Sequence, residues 1–404
     1  MDFETFIQIT HDFWEDYLRR VKNSEISKNY YLIDQNGNRL SKKLILLYPT
    51  ILLCTKTDEY FVSELLGSQS DFSCLSLKTH KTNSINTYFS LFDIDDVEPS
   101  VEIAYNNGTL SGIWCGHDVD REALYSRFPF LAQSDAPRII VGTGKGAPIA
   151  IRNKANFTSL QNCIVVNRYS SAIRVKNLKQ VDIIHSTTKA RDYIEYLNKY
   201  GNANDLYAIQ YVNTDEEEIY QVAGQFVNFY LLPGLRETTI GEFLHTHPQF
   251  IKTAFGTSRF EYEPYFTWQE GPYDSQDPPI NPDLLIQRPD GHFDIYDLKT
   301  ALLSKKNLTT GKRSRRRFID YVHQGVAQLA HYAEYFTYVK NQEYALKKYN
   351  VSVVEPRLVL VVGNFENINK QQIDEASRML KNFEIIDYDT ILHLYLNASR
   401  ITDK

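Results

Sequence analysis

The spacing of apolar residues changes several times along this chain. From Phe3 to Val21, Phe6, Ile7, Phe13, Tyr17 and Leu18 recur at helical spacing and predict a short amphipathic helix. From Tyr30 to about Ile184 the pattern turns to short β-type runs. Turn signals at Asn36-Gly37-Asn38, Asn106-Asn107-Gly108 and Gly144-Lys145-Gly146 break them. The runs 136–142 and 162–167 read as strands. A helix begins near Ser186 and runs to Tyr200, with Tyr193, Ile194 and Leu197 on one face. Another opens at Thr214-Asp215-Glu216-Glu217-Glu218, where acids suit the first-turn dipole, and runs to about Leu232. Then come a helix from Thr239 to about His247, a hairpin over 282–299, and a long helix from about Arg317 to Val339. A buried strand follows at Leu358 to Val362, then a helix from about Asn369 to Phe383, and a final strand and helix. The fold class is α+β or α/β: a β-rich domain over 1–213, then a domain over 214–404 with a mixed sheet flanked by helices.

Composition narrows the class. A chain of 404 residues can bury two cores, and 43% hydrophobic with 23% charged residues fits a soluble globular protein. A net charge of −6 excludes a generic nucleic-acid coat, so nucleic-acid contact needs a local basic patch. Cys54, Cys74, Cys115 and Cys163 form no C-x-x-C pair and read as reduced thiols, not structural zinc ligands. The acidic start Met1-Asp2-Phe3-Glu4 lacks a basic signal-peptide region. The run from Leu44 to Cys54 holds Pro49 and is too short to span a bilayer. The expected location is the cytoplasm, with no membrane partner.

The hairpin carries the chemistry. Arg288-Pro289-Asp290-Gly291-His292 suits a three-residue loop with glycine at the left-handed position. That loop opposes Gln287 to Phe293, Leu285 to Ile295 and Asp283 to Asp297, which sets two acids side by side. A two-residue loop would put them on opposite faces. Strand alternation points Asp297 and Lys299 the same way. Two close carboxylates repel unless a cation lies between them. Two acids and a lysine suit metal-assisted phosphodiester cleavage, with Asp283 and Asp297 as metal ligands and Lys299 beside the attacking water.

Other candidates surround it. Glu242 follows Thr239 by three residues and reads equally as a capping-box residue or as a third metal ligand. Gln324, Gln328 and Tyr332 recur every four residues on the long helix. They are a solvent-facing polar stripe or groups that orient water and phosphate. The acid-free stretch from Ser304 to Arg317 offers Lys305, Lys306, Lys312, Arg313, Arg315, Arg316 and Arg317 as phosphate contacts. Two other motifs carry little. Gly142-Thr143-Gly144-Lys145-Gly146 lacks the spacing of a phosphate loop, and Cys115, His117, Asp118 and Asp120 read as a loop.

Glu242, Pro282-Asp283, Asp297-Leu298-Lys299 and Gln328 with Tyr332 together resemble the PD-(D/E)XK nuclease superfamily. More narrowly, the stretch from Asp215 to Thr390 resembles the Shedu family of bacterial anti-phage defence nucleases. Asn281-Pro-Asp-Leu-Leu-Ile, Tyr296-Asp-Leu-Lys-Thr300, Gln328-Leu-Ala-His-Tyr332, Val359-Leu-Val-Val-Gly363 and Ile386-Asp-Tyr-Asp389 carry that likeness. The resemblance implies a restriction-endonuclease-like fold and a DNA endonuclease dependent on Mg²⁺, with Mn²⁺ as a substitute. Asp283, Asp297 and Glu242 would hold the metal, Lys299 would polarise water, and Gln328 would sit beside the site. It implies phage or other double-stranded DNA as partner and a homo-oligomer, a tetramer. The first half, 1–213, is by analogy a sensor or regulator. The competing reading is a non-catalytic nucleic-acid binder or scaffold on a nuclease-like fold.

Overall fold

The structure, a computed structural model, describes residues 1–23, 44–57, 59–67, 77–82, 157–169, 171–202, 206–213, 217–231, 234, 236–272 and 278–399. Between Thr82 and Phe157 it describes 89–91, 101–103, 109–110, 115–116, 127–128, 139–143 and 149–151. The expected turns at Asn36–Asn38, Asn106–Gly108 and Gly144–Gly146, with His117, Asp118 and Asp120, lie outside the described residues.

Packing divides the chain into two units that interleave in sequence. One holds 1–117, 137–166 and 176–227; the other holds 118–136, 167–175 and 228–404. The last crossing falls between Val227 and Asn228, later than the composition change near Asn213.

In the first unit, helix α1 (Phe3–Lys22) is capped by Asp2, whose carboxylate accepts from Thr5 N at 2.8 Å. Strands β1 (Ile51–Lys56), β2 (Tyr60–Leu66) and β3 (Lys78–Thr82) join the later part of β4 (Ala172–His185). β1 and β4 each pair antiparallel with β2, and β3 runs parallel to β1. Helix α2 spans Ala190–Gly201. Phe6, Trp14, Tyr17 and Leu18 of α1 pack with Tyr193, Leu197 and Tyr200 of α2 on Leu52, Phe61, Leu65 and Ile184. The expected inward face of α2 needs one correction. Tyr193, Leu197 and Tyr200 take the core side, and Ile194, one step around the helix, is 46% exposed.

Helix α3 (Glu217–Leu231) carries the chain across the boundary. The second unit then forms α4 (Glu237–Thr246), α5 (Pro248–Phe255) and strands β5 (Phe260–Tyr262), β6 (Leu284–Gln287) and β7 (Phe293–Leu298). A small ribbon, β8 (Thr309–Thr310) and β9 (Arg317–Phe318), precedes α6 (Asp320–Tyr335) and α7 (Val339–Tyr349). Strand β10 (Leu358–Val361), α8 (Lys370–Ser377), β11 (Phe383–Ile386) and α9 (Tyr388–Ser399) complete it. The sheet order is β5-β6-β7-β10-β11, with Ala172 and Ile173 added beside β11. The β5-β6-β7 pairs are antiparallel; β7-β10-β11 and the added residues are parallel.

The mixed sheet is flanked by helices, as the sequence predicts. Leu285, Phe293, Ile295 and Leu360 face Val322, Val326 and Leu329 of α6 in one core. On the other face, the ring of Tyr296 meets Phe255 of α5 edge-on at 5.2 Å, and Phe250 packs on Tyr395 of α9 at 4.4 Å. The long helix expected from about Arg317 to Val339 is α6, which starts three residues later and ends four earlier, and α7 is a further helix that the sequence reading did not name. Phe336 N and Thr337 N bond back to Ala333 O and Glu334 O, which ends α6. Buried Asn341 then bonds to Tyr335 O and Glu270 O and holds the bend. Among the described residues, no helix is long and apolar enough to cross a membrane.

Candidate active site

The site begins with the turn between β6 and β7. Arg288 N bonds to His292 O at 2.7 Å and Gly291 N to Arg288 O at 3.0 Å, with Gly291 at φ +88°. This is the expected three-residue loop. It sets Leu285 opposite Ile295 and Gln287 opposite Phe293. Asp283 stands just before β6, and its Oδ2 accepts from Leu298 N at 2.6 Å. The turn residues thus decide that Asp283 arrives next to Asp297.

Asp297 is fully buried, on the face of β7 toward α6. Strand alternation brings Lys299 to the same side, and its Nζ lies 2.7 Å from Asp297 Oδ2. Asp297 Oδ2 thus pairs closely with the Lys299 ammonium, and among the described residues no donor reaches Oδ1. The ammonium also reaches Leu298 O at 3.3 Å and Gln328 Oε1 at 3.4 Å. Gln328 donates to Tyr332 OH, which donates to Asn281 O at 3.1 Å and ties α6 to the residue two before Asp283. Lys299 N bonds to Val361 O at 2.8 Å, and Tyr388 OH donates to Lys299 O. The lysine backbone is therefore fixed from β10 and from α9.

Gly325 explains how α6 comes so close. A Cβ there would stand 2.7 Å from Leu360 Cδ1 and 3.3 Å from Asp297 Oδ2. Glycine inside a helix costs about 1 kcal/mol relative to alanine. Here it admits the helix against the carboxylate.

Electrostatics follow from burial. Desolvation pushes both carboxyls up. For Asp283 the Leu298 amide and then Lys299 oppose the rise, and for Asp297 the neighbouring Asp283 adds to it. Burial alone would lower Lys299, but Asp297 outweighs it and the ammonium is held above its ordinary value.

Asp283, Asp297, Lys299 and Gln328 thus come together. Glu242 does not join them in any contact among the described residues. Its expected capping box does not form either. α4 starts at Glu237 after Arg236, so Thr239 lies inside the helix and is no cap. Glu242 is exposed, and Glu237, five residues earlier, lies about 140° away around the helix. Glu237 Oε2 is 3.7 Å from Lys299 Nζ, and Glu237 accepts from Tyr321 OH. Sequence reading missed Glu237 because Thr239 offered a plausible helix start two residues too late. The acid directly after Arg236, at a helix N-terminus, is the signal that could have found it.

The basic stretch is not a plain loop. Leu308 and Phe318 are buried at its base, Ile319 N bonds to Leu308 O at 3.0 Å, and Thr309 donates to Gln372 at 2.8 Å. Arg316 pairs with Glu375 of α8 at 3.1 Å. Lys305, Lys306, Lys312, Arg313, Arg315 and Arg317 are exposed. Arg378 donates to Ser314 O at 2.8 Å and adds one more cation at the tip.

Do these residues fit a divalent cation? Among the described residues, no group of three or more His, Cys, Asp or Glu side chains is placed to hold a metal. Asp283 and Asp297 are only a pair. Mg²⁺ commonly takes one or two carboxylates and fills its shell with water and substrate phosphate. A buried oxygen without a donor, beside a second carboxylate, fits that habit. A fully protein-made cage does not fit.

The second unit is thus a mixed sheet with helices on both faces, carrying an acid pair and a lysine at one strand end. Residues 234–392 match the family model described as Shedu protein SduA, C-terminal, so this part of the chain is similar to that family. The matched span contains Glu237, Asp283, Asp297, Lys299 and Gln328. No curated protein matches the chain.

Proposed function

We propose that the second unit is a divalent-metal-dependent DNA endonuclease of the PD-(D/E)XK type, with a restriction-endonuclease-like fold, acting in the cytoplasm against phage DNA. The observation that carries this reading is Asp297: a fully buried carboxylate with Asp283 beside it, Lys299 Nζ 2.7 Å from its Oδ2, and no donor at its Oδ1. A buried acid so placed is costly to the empty protein, which is how functional groups are often recognised. Asp283 and Asp297 would hold Mg²⁺ or Mn²⁺. The metal, when bound, would supply Lewis-acid polarisation of the phosphate and a more acidic water.

The chain's own residues supply the rest. Lys299 offers a fixed positive charge beside the scissile phosphate, where negative charge grows in the transition state. Gln328 and Asp297 hold that ammonium, and the Tyr332–Asn281 bond fixes Gln328 in turn. Glu237 takes the place the sequence assigned to Glu242, as the third acid beside Lys299. The exposed cations of the ribbon, Lys312, Arg313, Arg315 and Arg317, would grip duplex phosphates. The homo-oligomer implied by the resemblance belongs to the same proposal.

The test is cleavage of linear duplex DNA by the full chain with Mg²⁺ or Mn²⁺, against a chelator control and Lys299→Ala. Metal-dependent cleavage lost in Lys299→Ala is the expected result. DNA binding without cleavage in either metal, or an unchanged rate in Lys299→Ala, would overturn the reading and leave a binder on a nuclease-like fold.

A further inference from the structure

The ribbon is inserted between two residues that meet each other. It leaves the sheet after Lys299 and returns at the first turn of α6. At its base, Thr300 N donates to Tyr321 OH at 3.2 Å, and the hydroxyls of Thr300 and Tyr321 lie 3.4 Å apart. Thr300 O is held in turn by Gly363 N at 3.2 Å. The same Tyr321 hydroxyl donates to Glu237. One phenol thus joins the outgoing strand, the returning helix and the acid on α4.

Glu237 needs such a hold. Its side chain is 38% exposed, and Lys299 at 3.7 Å is its only other named partner. A half-exposed ion pair at that distance fixes a flexible glutamate weakly. An O–H donor to a carboxylate is shorter and stronger than a neutral bond and sets direction as well as distance. Burial, and then the bond to Glu237, hold the Tyr321 phenol above its ordinary value, so it remains a donor.

We propose that Tyr321 is a positioning residue that holds the Glu237 carboxylate over Lys299, so that closure of the ribbon's base and placement of the third acid are one event. For its kinetic consequence and its effect on metal binding the proposal rests on the nuclease reading, in which Glu237 is the third acid; the hold on Glu237 itself rests on geometry. Tyr321 touches neither Asp283 nor Asp297 in any named contact, so its action runs through Glu237. DNA held by the ribbon's cations would draw on the same clasp, since both ends of the ribbon meet at this hydroxyl.

The experiment compares Tyr321→Phe, Glu237→Gln and the double variant in the full chain. Tyr321→Phe keeps the ring and removes only the hydroxyl; circular dichroism checks that each variant folds. The readouts are kcat and KM on duplex DNA, and Mg²⁺ titration by calorimetry without DNA. Outer partners of metal ligands typically contribute about ten- to a hundredfold in affinity or activity. A fall of that size in kcat and in Mg²⁺ affinity is expected for Tyr321→Phe, with KM unchanged. The double variant should be no worse than Glu237→Gln alone. Wild-type kcat and Mg²⁺ affinity in Tyr321→Phe, or losses that multiply in the double variant, would overturn the proposal. If the wild-type chain binds Mg²⁺ but does not cleave, the nuclease reading falls and the Mg²⁺ titrations alone decide the role of Tyr321. If the wild-type chain neither binds Mg²⁺ nor cleaves, both fall.

Discussion

Strand β7 carries two buried aspartates on opposite faces, and they live in opposite circumstances. Asp294 is 3% exposed and fully engaged: its Oδ1 accepts from Arg357 N at 2.9 Å and Arg288 at 3.2 Å. Burial pushes its carboxyl up, and the Arg357 amide with Arg127 and Arg288 pull it back. Around it lies a cavity of about 530 Å³ lined by Arg127, Arg288, Tyr296 and Arg357. There Arg127 is paired with Glu384 and bonded to Tyr296 OH at 3.0 Å. Asp297, three residues on, has Lys299 at one oxygen, no donor at the other, and a second carboxylate for a neighbour. That cavity therefore lies over a neutralised structural network, whereas the crowded face holds an acid whose charge is less fully balanced. Depth of burial does not separate a structural acid from a functional one; the balance of donors around it does.

The widest gap between the two faces should open in activity. Asp297→Asn should lower Mg²⁺-dependent cleavage on the order of a thousandfold, whereas Asp294→Asn should cleave near the wild-type rate. Stability should run the other way. Asp294→Asn leaves Arg288 and the Arg357 amide with a poorer acceptor and should cost about 1–3 kcal/mol in urea unfolding. Comparable cleavage in the two variants would dissolve the distinction.

The pair Glu237 and Glu242 sharpens it within one helix. Glu237→Gln should reduce cleavage and Mg²⁺ affinity by about ten- to a hundredfold, and Glu242→Gln should change neither. The reverse order would return the third acid to the position read from sequence.

Gly325→Ala tests how tightly α6 presses on Asp297. Removing glycine from a helix gains about 1 kcal/mol. A methyl 2.7 Å from Leu360 Cδ1 costs about 1–3 kcal/mol in overpacking. A net loss of stability together with slower cleavage is expected in thermal melts and rate assays; a stabilised, fully active variant would show a looser contact.

A smaller effect is expected with pH. Asp283 and Asp297 have folded pKa values raised above the unfolded carboxylate, so the metal-free native state binds more protons than the unfolded chain. Their contribution must then fall as pH rises from about 4, the unfolded carboxylate value, through the raised folded values. Asp297→Asn should flatten this part of the stability–pH curve, and saturating Mg²⁺ should flatten it in the wild type. A curve identical in all three samples would place the pair outside the linkage.

Much of this site was legible in the sequence because turn chemistry is local. Pro289, Asp290 and Gly291 define the loop, the loop defines the register, and the register delivers Asp283 to Asp297. Alternation then delivers Lys299, and helical spacing delivers Gln328 and Tyr332. What stayed hidden depends on contacts distant in sequence. The contacts of Glu237 appear only once α6 brings Tyr321 to it, and Arg316 is removed from the basic set by Glu375. Leu308 and Phe318, which the reading of the basic stretch did not weigh, are buried and anchor it. The bend between α6 and α7 is set by Asn341, whose partners include Glu270 on a distant segment.

The interleaving of the two units has a practical consequence for dissecting the protein. A fragment that starts at Asn228 contains every catalytic candidate and still lacks part of its own body. It omits Ala172 and Ile173, the sheet neighbours of β11, and Val175, whose N–H bonds to Thr390 at 3.0 Å. It also omits Arg127, the ion-pair partner of buried Glu384, and breaking a buried pair of this kind costs about 3–5 kcal/mol. No single cut in the chain releases this unit whole. An inactive or insoluble C-terminal fragment would therefore report missing sheet and missing charge, and would say nothing against the chemistry at Asp297.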